Sequence, residues 1–230
     1  MKLFVAGCSI SDYTKVSKVY GEFLAEKLGC EYVHEGAGCG SNWRIWRVIT
    51  QHIMTGNLTP DDILVVQYTG RERDEFWSRF DPPVWEMAPN TLDHLCVTDV
   101  PQYGGSVIRY KAGAGIWQDG QQIKDFFDTY EKNHLCVEFE RERFLAHNFM
   151  FQNMLLMKNI RTIFVRSRRA ATLPMSELFP EFRKISFIEP AGDLTMYDLS
   201  STDSGHMNQL GHEVFAGWLY DHINTFNLKG

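Results

Sequence analysis

Several things are missing from this chain, and each absence narrows what it can be. Its five cysteines, Cys8, Cys30, Cys39, Cys96 and Cys136, include no C-x-x-C pair. An odd, scattered set fits a reducing compartment and mostly buried thiols; a cytoplasmic location is expected. His206 and His212 are six residues apart with no H-E-x-x-H arrangement, so no metal and no cofactor are expected. No apolar stretch reaches the roughly 18 residues of a membrane-spanning helix, and no membrane partner is expected. Basic residues are outnumbered, 23 against 29, for a formal charge of -6. That balance argues against a nucleic-acid partner, because phosphate binding needs clustered Lys and Arg. No run of like charge forms a tail. The glycines spell no G-x-G-x-x-G, which disfavours a dinucleotide site. Val5-Ala6-Gly7-Cys8 resembles a lipoprotein cleavage box, but too few residues precede the cysteine for a signal peptide, and none is expected.

What is present suits one folded unit. The chain has 230 residues, 44% of them apolar, with no composition break, internal repeat or low-complexity tract. A single domain over residues 1–230 is expected. Leu3–Ala6 reads as a short buried strand. Val16, Val19, Tyr20, Phe23, Leu24 and Leu28 recur at helical spacing, with Gly29 as a stop. Cys30–Val33 reads as a second strand. A glycine-rich turn, Gly36 to Gly40, leads to a helix capped by Ser41 or Asn42 and carrying Ile45, Trp46, Ile49 and Ile53 on one face. Ile63–Val66 is a continuous apolar run of the kind found in a central parallel strand. The alternation then breaks: residues 70–120 are rich in Trp, Pro, Tyr and Gly, with a hairpin indicated near Ser106–Tyr110. Helical character returns from about Gln121 to Lys158. Ile163–Val165 and Ile185–Ile188 read as a fourth and a fifth strand. A last helix carries Leu210, Val214, Phe215, Trp218, Leu219 and Ile223.

This is an open α/β pattern, in which ligands bind beyond the carboxyl ends of the strands. Ser9 directly follows the first strand. Near the other end of the chain, Asp203 precedes His206 by three residues on a loop entering the last helix. That spacing lets a carboxylate orient one imidazole nitrogen and leaves the other to activate a hydroxyl. Ser9, Asp203 and His206 thus supply the parts of a hydrolytic triad in that chain order. Taken singly, Ser9 also reads as a turn or cap residue, and Asp203 to His206 as an Asx turn before a helix. The glycine turn adds Gly38 and Gly40, either of which permits the close backbone approach that an oxyanion-binding N–H requires. His212 reads as a packing or capping residue.

These blocks, together with Asn208 and Gly211-His212 after the Asp-x-x-His, resemble the SGNH (GDSL-like) hydrolase superfamily. The turn Gly38-Cys39-Gly40-Ser41-Asn42, with Arg44-Ile45 after it, is similar to that of small bacterial and phage-type members. The resemblance implies a flavodoxin-like three-layer α/β sandwich with a central five-stranded parallel sheet, and metal-free esterase or deacylase chemistry. It implies Ser9 as nucleophile, His206 as base and Asp203 as its orienter. The Ser9 N–H and that of Gly38 or Gly40 would stabilise the oxyanion. One departure stands out. The family carries Gly-x-Asn-Asp after its third strand, with the Asn side chain in the oxyanion hole, whereas this chain has Thr69-Gly70-Arg71-Glu72-Arg73-Asp74. Arg73, then Arg71, is the expected replacement donor, with Asn42 as backup.

The expected activity is removal of a small acyl group, such as acetyl, from a carbohydrate or similar ester; the substrate comes from the resemblance alone. The alternatives are transfer of the acyl group to a sugar hydroxyl, or a catalytically weak binding module on the same scaffold. Phe76, Trp77, Phe80, Trp85, Tyr103 and Trp117 in the 70–120 insertion are candidates to line an acyl or sugar pocket, or to form a satellite core.

Overall fold

A computed structural model of the protein describes residues 1–8, 11, 13, 16–37, 40–69, 73–78, 95–100, 105–111, 137–166, 187–188 and 207–225, those at 73–78, 95–100, 105–111, 137–141, 166 and 187–188 by backbone alone. In chain order the elements are β1 (Lys2–Gly7), α1 (Tyr20–Leu28), β2 (Glu31–Gly36), α2 (Asn42–Met54), β3 (Ile63–Tyr68), β4 (Arg73–Ser78), β5 (Leu95–Val100), β6 (Gly105–Lys111), α3 (Val137–Met157), β7 (Arg161–Arg166), β8 (Phe187–Ile188) and α4 (Gln209–Thr225).

Four six-residue strands form a parallel sheet in the order β2-β1-β3-β7, and the two-residue β8 pairs parallel beside β7. β1 is flanked by β2 and β3, and β3 takes the middle of the order. β1 and β3 read as unbroken apolar runs because both of their faces are covered. Side chains alternate across the sheet. Leu3, Val5, Ile63, Val65, Ile163 and Val165 pack against α1 and α4, through Tyr20, Leu24, Phe215, Ala216, Leu219 and Ile223. Phe4, Ala6, Leu64, Val66 and Phe164 face the other way, against Ile45, Trp46 and Ile49 of α2 and Phe151 and Leu155 of α3. Helices therefore cover both faces of the sheet.

Local signals explain the element ends. α1 starts at Tyr20 and not near Val16, because Val19 is extended, with φ -93° and ψ 161°. The Glu22 carboxylate reaches back to accept the Val19 N–H at 3.2 Å, half of a capping box. Gly29, with φ 65°, ends the helix in the left-handed conformation that glycine adopts without strain. Ser41 caps α2 by accepting the Arg44 N–H at 3.1 Å.

Within the stretch expected as an aromatic-rich insertion, three strands form a separate antiparallel sheet in the order β4-β6-β5. The backbone of β4 lies beside α2. The aromatic side chains of this stretch lie outside the described residues. Among the described residues, no helix is long and apolar enough to cross a membrane.

Candidate active site

The carboxyl ends of β1, β2 and β3 lie side by side, and polar groups tie them together. The turn after β2 is fastened to β1, the Ala37 N–H donating to Gly7 O at 3.3 Å. Gly40 then comes so close to β1 that a Cβ there would stand 3.0 Å from Gly7 O and 3.4 Å from Cys8 Cα. That is tighter than an ordinary Cβ contact, and glycine avoids it. The Gly40 N–H donates to Ala37 O at 2.9 Å, closing the turn. Asn42 joins the next strand: its amide donates to Thr69 O at 3.1 Å and accepts from Thr69 N at 3.0 Å.

Ser11 lies under the same edge with no exposed surface. Its N–H donates to Cys8 O at 2.9 Å. Its hydroxyl bonds to Gln67 Oε1 of β3 and lies 2.9 Å from the Tyr20 hydroxyl. Burial pushes the Tyr20 hydroxyl well above its ordinary value, opposed by the bond to Ser11, so the phenol stays protonated.

The start of α4 closes the arrangement from the other end of the chain. Met207 is buried in the core with Leu3, Val5 and Tyr20. Asn208 accepts the Gly211 N–H through Oδ1 at 2.8 Å and so caps the helix. His212 is buried and accepts the Tyr20 N–H at Nδ1, at 3.0 Å. Its ring stacks on that of Tyr20, with centroids 6.0 Å apart and planes at 12°. These contacts fit the packing role expected for His212.

Of the residues expected to carry chemistry, Ser9, Gly38, Asp203 and His206 lie outside the described residues, as does Arg71. Arg73 opens β4 in register with Lys111, and its side chain is not described. Gly40 and Asn42 are brought together at the strand ends. Sequence reasoning missed the buried trio of Ser11, Tyr20 and Gln67. The available signal was Gln67 itself, a polar residue continuing the apolar run Ile63–Val66, with no exposed surface in the fold.

A groove of about 660 Å³ runs along the outer layer between α2 and α3, from Trp43 to Thr55, with Trp46, His147, Met150 and Met154 in its walls. It follows the helices and not the strand ends. Among the described residues, no group of His, Cys, Asp and Glu could hold a metal ion.

Fold and site together define an α/β protein with a parallel sheet and helices on both of its faces. No family model matches the chain, and none of the curated proteins does. Among solved structures, it is similar to one from Desulfitobacterium hafniense DCB-2 described as "a putative lipolytic protein of G-D-S-L family", with a TM-score of 0.49 and 8% identity over 96% of this chain and 98% of that one.

Proposed function

We propose that the protein is a serine ester hydrolase of the SGNH type, with Ser9 as nucleophile, His206 as general base and Asp203 as the group that orients it. The sheet, with Phe187–Ile188 as its fifth strand, is on this reading flavodoxin-like. The observation that carries the proposal is the meeting of chain ends at Tyr20. Its hydroxyl bonds Ser11, two residues after Ser9, and its N–H bonds His212, six residues after His206. Segments almost 200 residues apart in sequence are held at one helix terminus, beside the carboxyl ends of β1 and β3.

The chemistry follows from the roles. Ser9 Oγ attacks the ester carbonyl carbon while its proton passes to His206. The carbonyl electron pair moves onto oxygen, and the resulting oxyanion takes N–H donors. The Ser9 N–H is one. Of the two candidate glycines, Gly38 is the better second, because the Gly40 N–H already serves Ala37 O. Collapse of the intermediate expels the alcohol, which takes the proton from His206 and leaves an acyl-Ser9; water then repeats the sequence. Asn42 has one amide proton beyond its two bonds to Thr69 and, with Arg73, is a side-chain donor to the same oxygen. The substrate is a small acyl ester such as an acetylated sugar.

The test is hydrolysis of p-nitrophenyl acetate and of an acetylated oligosaccharide by wild type and Ser9→Ala. The wild type should turn over and the variant should lose nearly all activity while melting at the same temperature. A fully active Ser9→Ala protein sinks the proposal.

A further inference from the structure

Tyr20 occupies an unusual position. It is the first residue of α1, so its N–H is one of the donors that a helix cannot satisfy internally. Val19 before it has no side-chain acceptor to offer. The acceptor comes instead from α4: His212 Nδ1, at 3.0 Å. An imidazole that accepts at Nδ1 carries its proton on Nε2 when neutral, so the bond fixes the tautomer. At the other end of the same residue, the Tyr20 hydroxyl lies 2.9 Å from Ser11 Oγ.

The direction of these bonds follows from counting protons. Ser11 has one hydroxyl proton, and Gln67 Oε1 can only accept it. The Tyr20 hydroxyl must therefore donate to Ser11. The chain of donation runs Tyr20 to Ser11 to Gln67, all three buried without exposed surface. Ser11 is confined on three further sides. A Cβ on Gly7 would collide with its hydroxyl, a Cβ on Gly36 would stand 2.5 Å from its carbonyl oxygen, and its N–H is taken by Cys8 O. A second clasp joins the start of α4 to the approach to α1: Gln209 Nε2 donates to Lys18 O at 2.8 Å, and Ser17 Oγ donates to Gln209 Oε1 at 3.0 Å.

We infer that Tyr20 is a positioning residue that sets the segment bearing Ser9 against the segment bearing His206. The inference rests on the reading of those two residues as nucleophile and base. Both segments hang from the first turn of α1, one by the phenol and one by the backbone N–H. A shift of about 1 Å between a nucleophile and its base can cost about a hundredfold in rate, so the rigidity of this link bears on catalysis directly.

The experiment uses the full chain with Tyr20→Phe, Ser11→Ala, their double variant and His212→Ala, beside Tyr32→Phe as a control that removes a hydroxyl from β2. Two readouts are taken: the rate at which an alkyl fluorophosphonate labels Ser9, with kcat and KM on p-nitrophenyl acetate, and backbone amide exchange of the peptides containing residues 4–12 and 204–212. Tyr20→Phe keeps the ring and the backbone N–H, so it isolates the hydroxyl from the packing. It should lower kcat and the labelling rate together, by about tenfold or more, with KM within about twofold. Ser11→Ala should do the same, and the double variant should lose no more than either alone. His212→Ala should loosen residues 4–12, across the link, and Tyr32→Phe should change nothing. A Tyr20→Phe protein with wild-type labelling and wild-type exchange overturns the inference. If the wild type is not labelled at Ser9, the catalytic reading falls, and exchange alone decides the link: loosening of residues 4–12 in His212→Ala upholds it, and unchanged exchange overturns it.

Discussion

Asn42 and Thr69 exchange two hydrogen bonds, side-chain amide to backbone, at 3.1 and 3.0 Å. Both residues are buried. The amide of Asn42 imitates a neighbouring strand and satisfies the backbone of β3 where the ladder ends, joining the start of α2 to the end of the central strand. Asn42→Ala leaves a buried N–H and a buried C=O without partners. It should cost about 2–6 kcal/mol, each unsatisfied group contributing about 1–3. Urea unfolding checks this; an unchanged midpoint would mean that water replaces the amide.

The glycines give a contrast of sign. A Cβ on Gly7 would collide with Ser11 Oγ and stand 3.1 Å from Gln67 Cβ, whereas one on Gly217 would meet nothing. Gly217 lies inside α4, where alanine is favoured over glycine by about 0.5–1 kcal/mol. Gly217→Ala should therefore raise the thermal midpoint and Gly7→Ala should lower it. Two variants that move the same way would contradict the packing described around Ser11.

How much of this could be read from the sequence depended on whether a residue's partners were local. Leu3–Ala6 and Ile63–Val66 announce buried strands by composition, and Gly29 and Ser41 mark helix ends by the dihedral and hydrogen bond each supplies. The antiparallel sheet was legible only as a hairpin near β6. β4, with the sequence RDEFWS, has no clean alternation, and its partner β6 lies some 30 residues on. α3 carries apolar residues all round, so its period could not say that Phe151 and Leu155 face the sheet while Met150 and Met157 face solvent. The Ser11–Gln67 bond spans 56 residues. A serine and a glutamine that bond to each other inside a core leave no periodic trace. The proposed triad left a trace for the opposite reason: Asp203 and His206 are three apart, a local spacing that lets a carboxylate reach one imidazole nitrogen.

Asp62 links the amino-terminal ends of β1 and β3. Its carboxylate accepts the Lys2 N–H at 2.6 Å, the Thr59 N–H at 3.0 Å and the Thr59 hydroxyl at 2.8 Å. Burial alone would raise its pKa, but these three donors outweigh that and hold it below the ordinary value. The unfolded chain therefore binds this proton more readily than the folded one. The stabilisation is complete above the unfolded value, about 4 for an aspartate, and fades as pH falls through it toward the lower folded value. Asp62→Asn should be less stable than wild type at pH 7, and the gap should narrow at pH 3. A gap of constant size across that range would show that the charge of Asp62 is not what these donors hold.

Arg73 raises the remaining question of the site, because the chain has no Asn in the loop after β3. Arg73 opens β4, four residues past Thr69 and beside α2. Within residues 69–74 only the two arginines combine long reach with a permanent charge, and Arg71 is the lesser candidate of the pair. A guanidinium aimed at the developing oxyanion acts in the transition state more than in the ground state. Its removal should therefore lower kcat more than it raises KM. Losing a single oxyanion donor costs about 2.7–4 kcal/mol, so Arg73→Ala should fall by about a hundredfold or more in kcat on p-nitrophenyl acetate. Arg73→Lys should recover only part of this, because an ammonium does not reproduce the planar fork. An Arg73→Ala enzyme with unchanged kcat and a raised KM would instead mean that the guanidinium binds ground state and transition state alike. The oxyanion would then depend on the backbone N–H groups of Ser9 and Gly38 and on the remaining amide proton of Asn42.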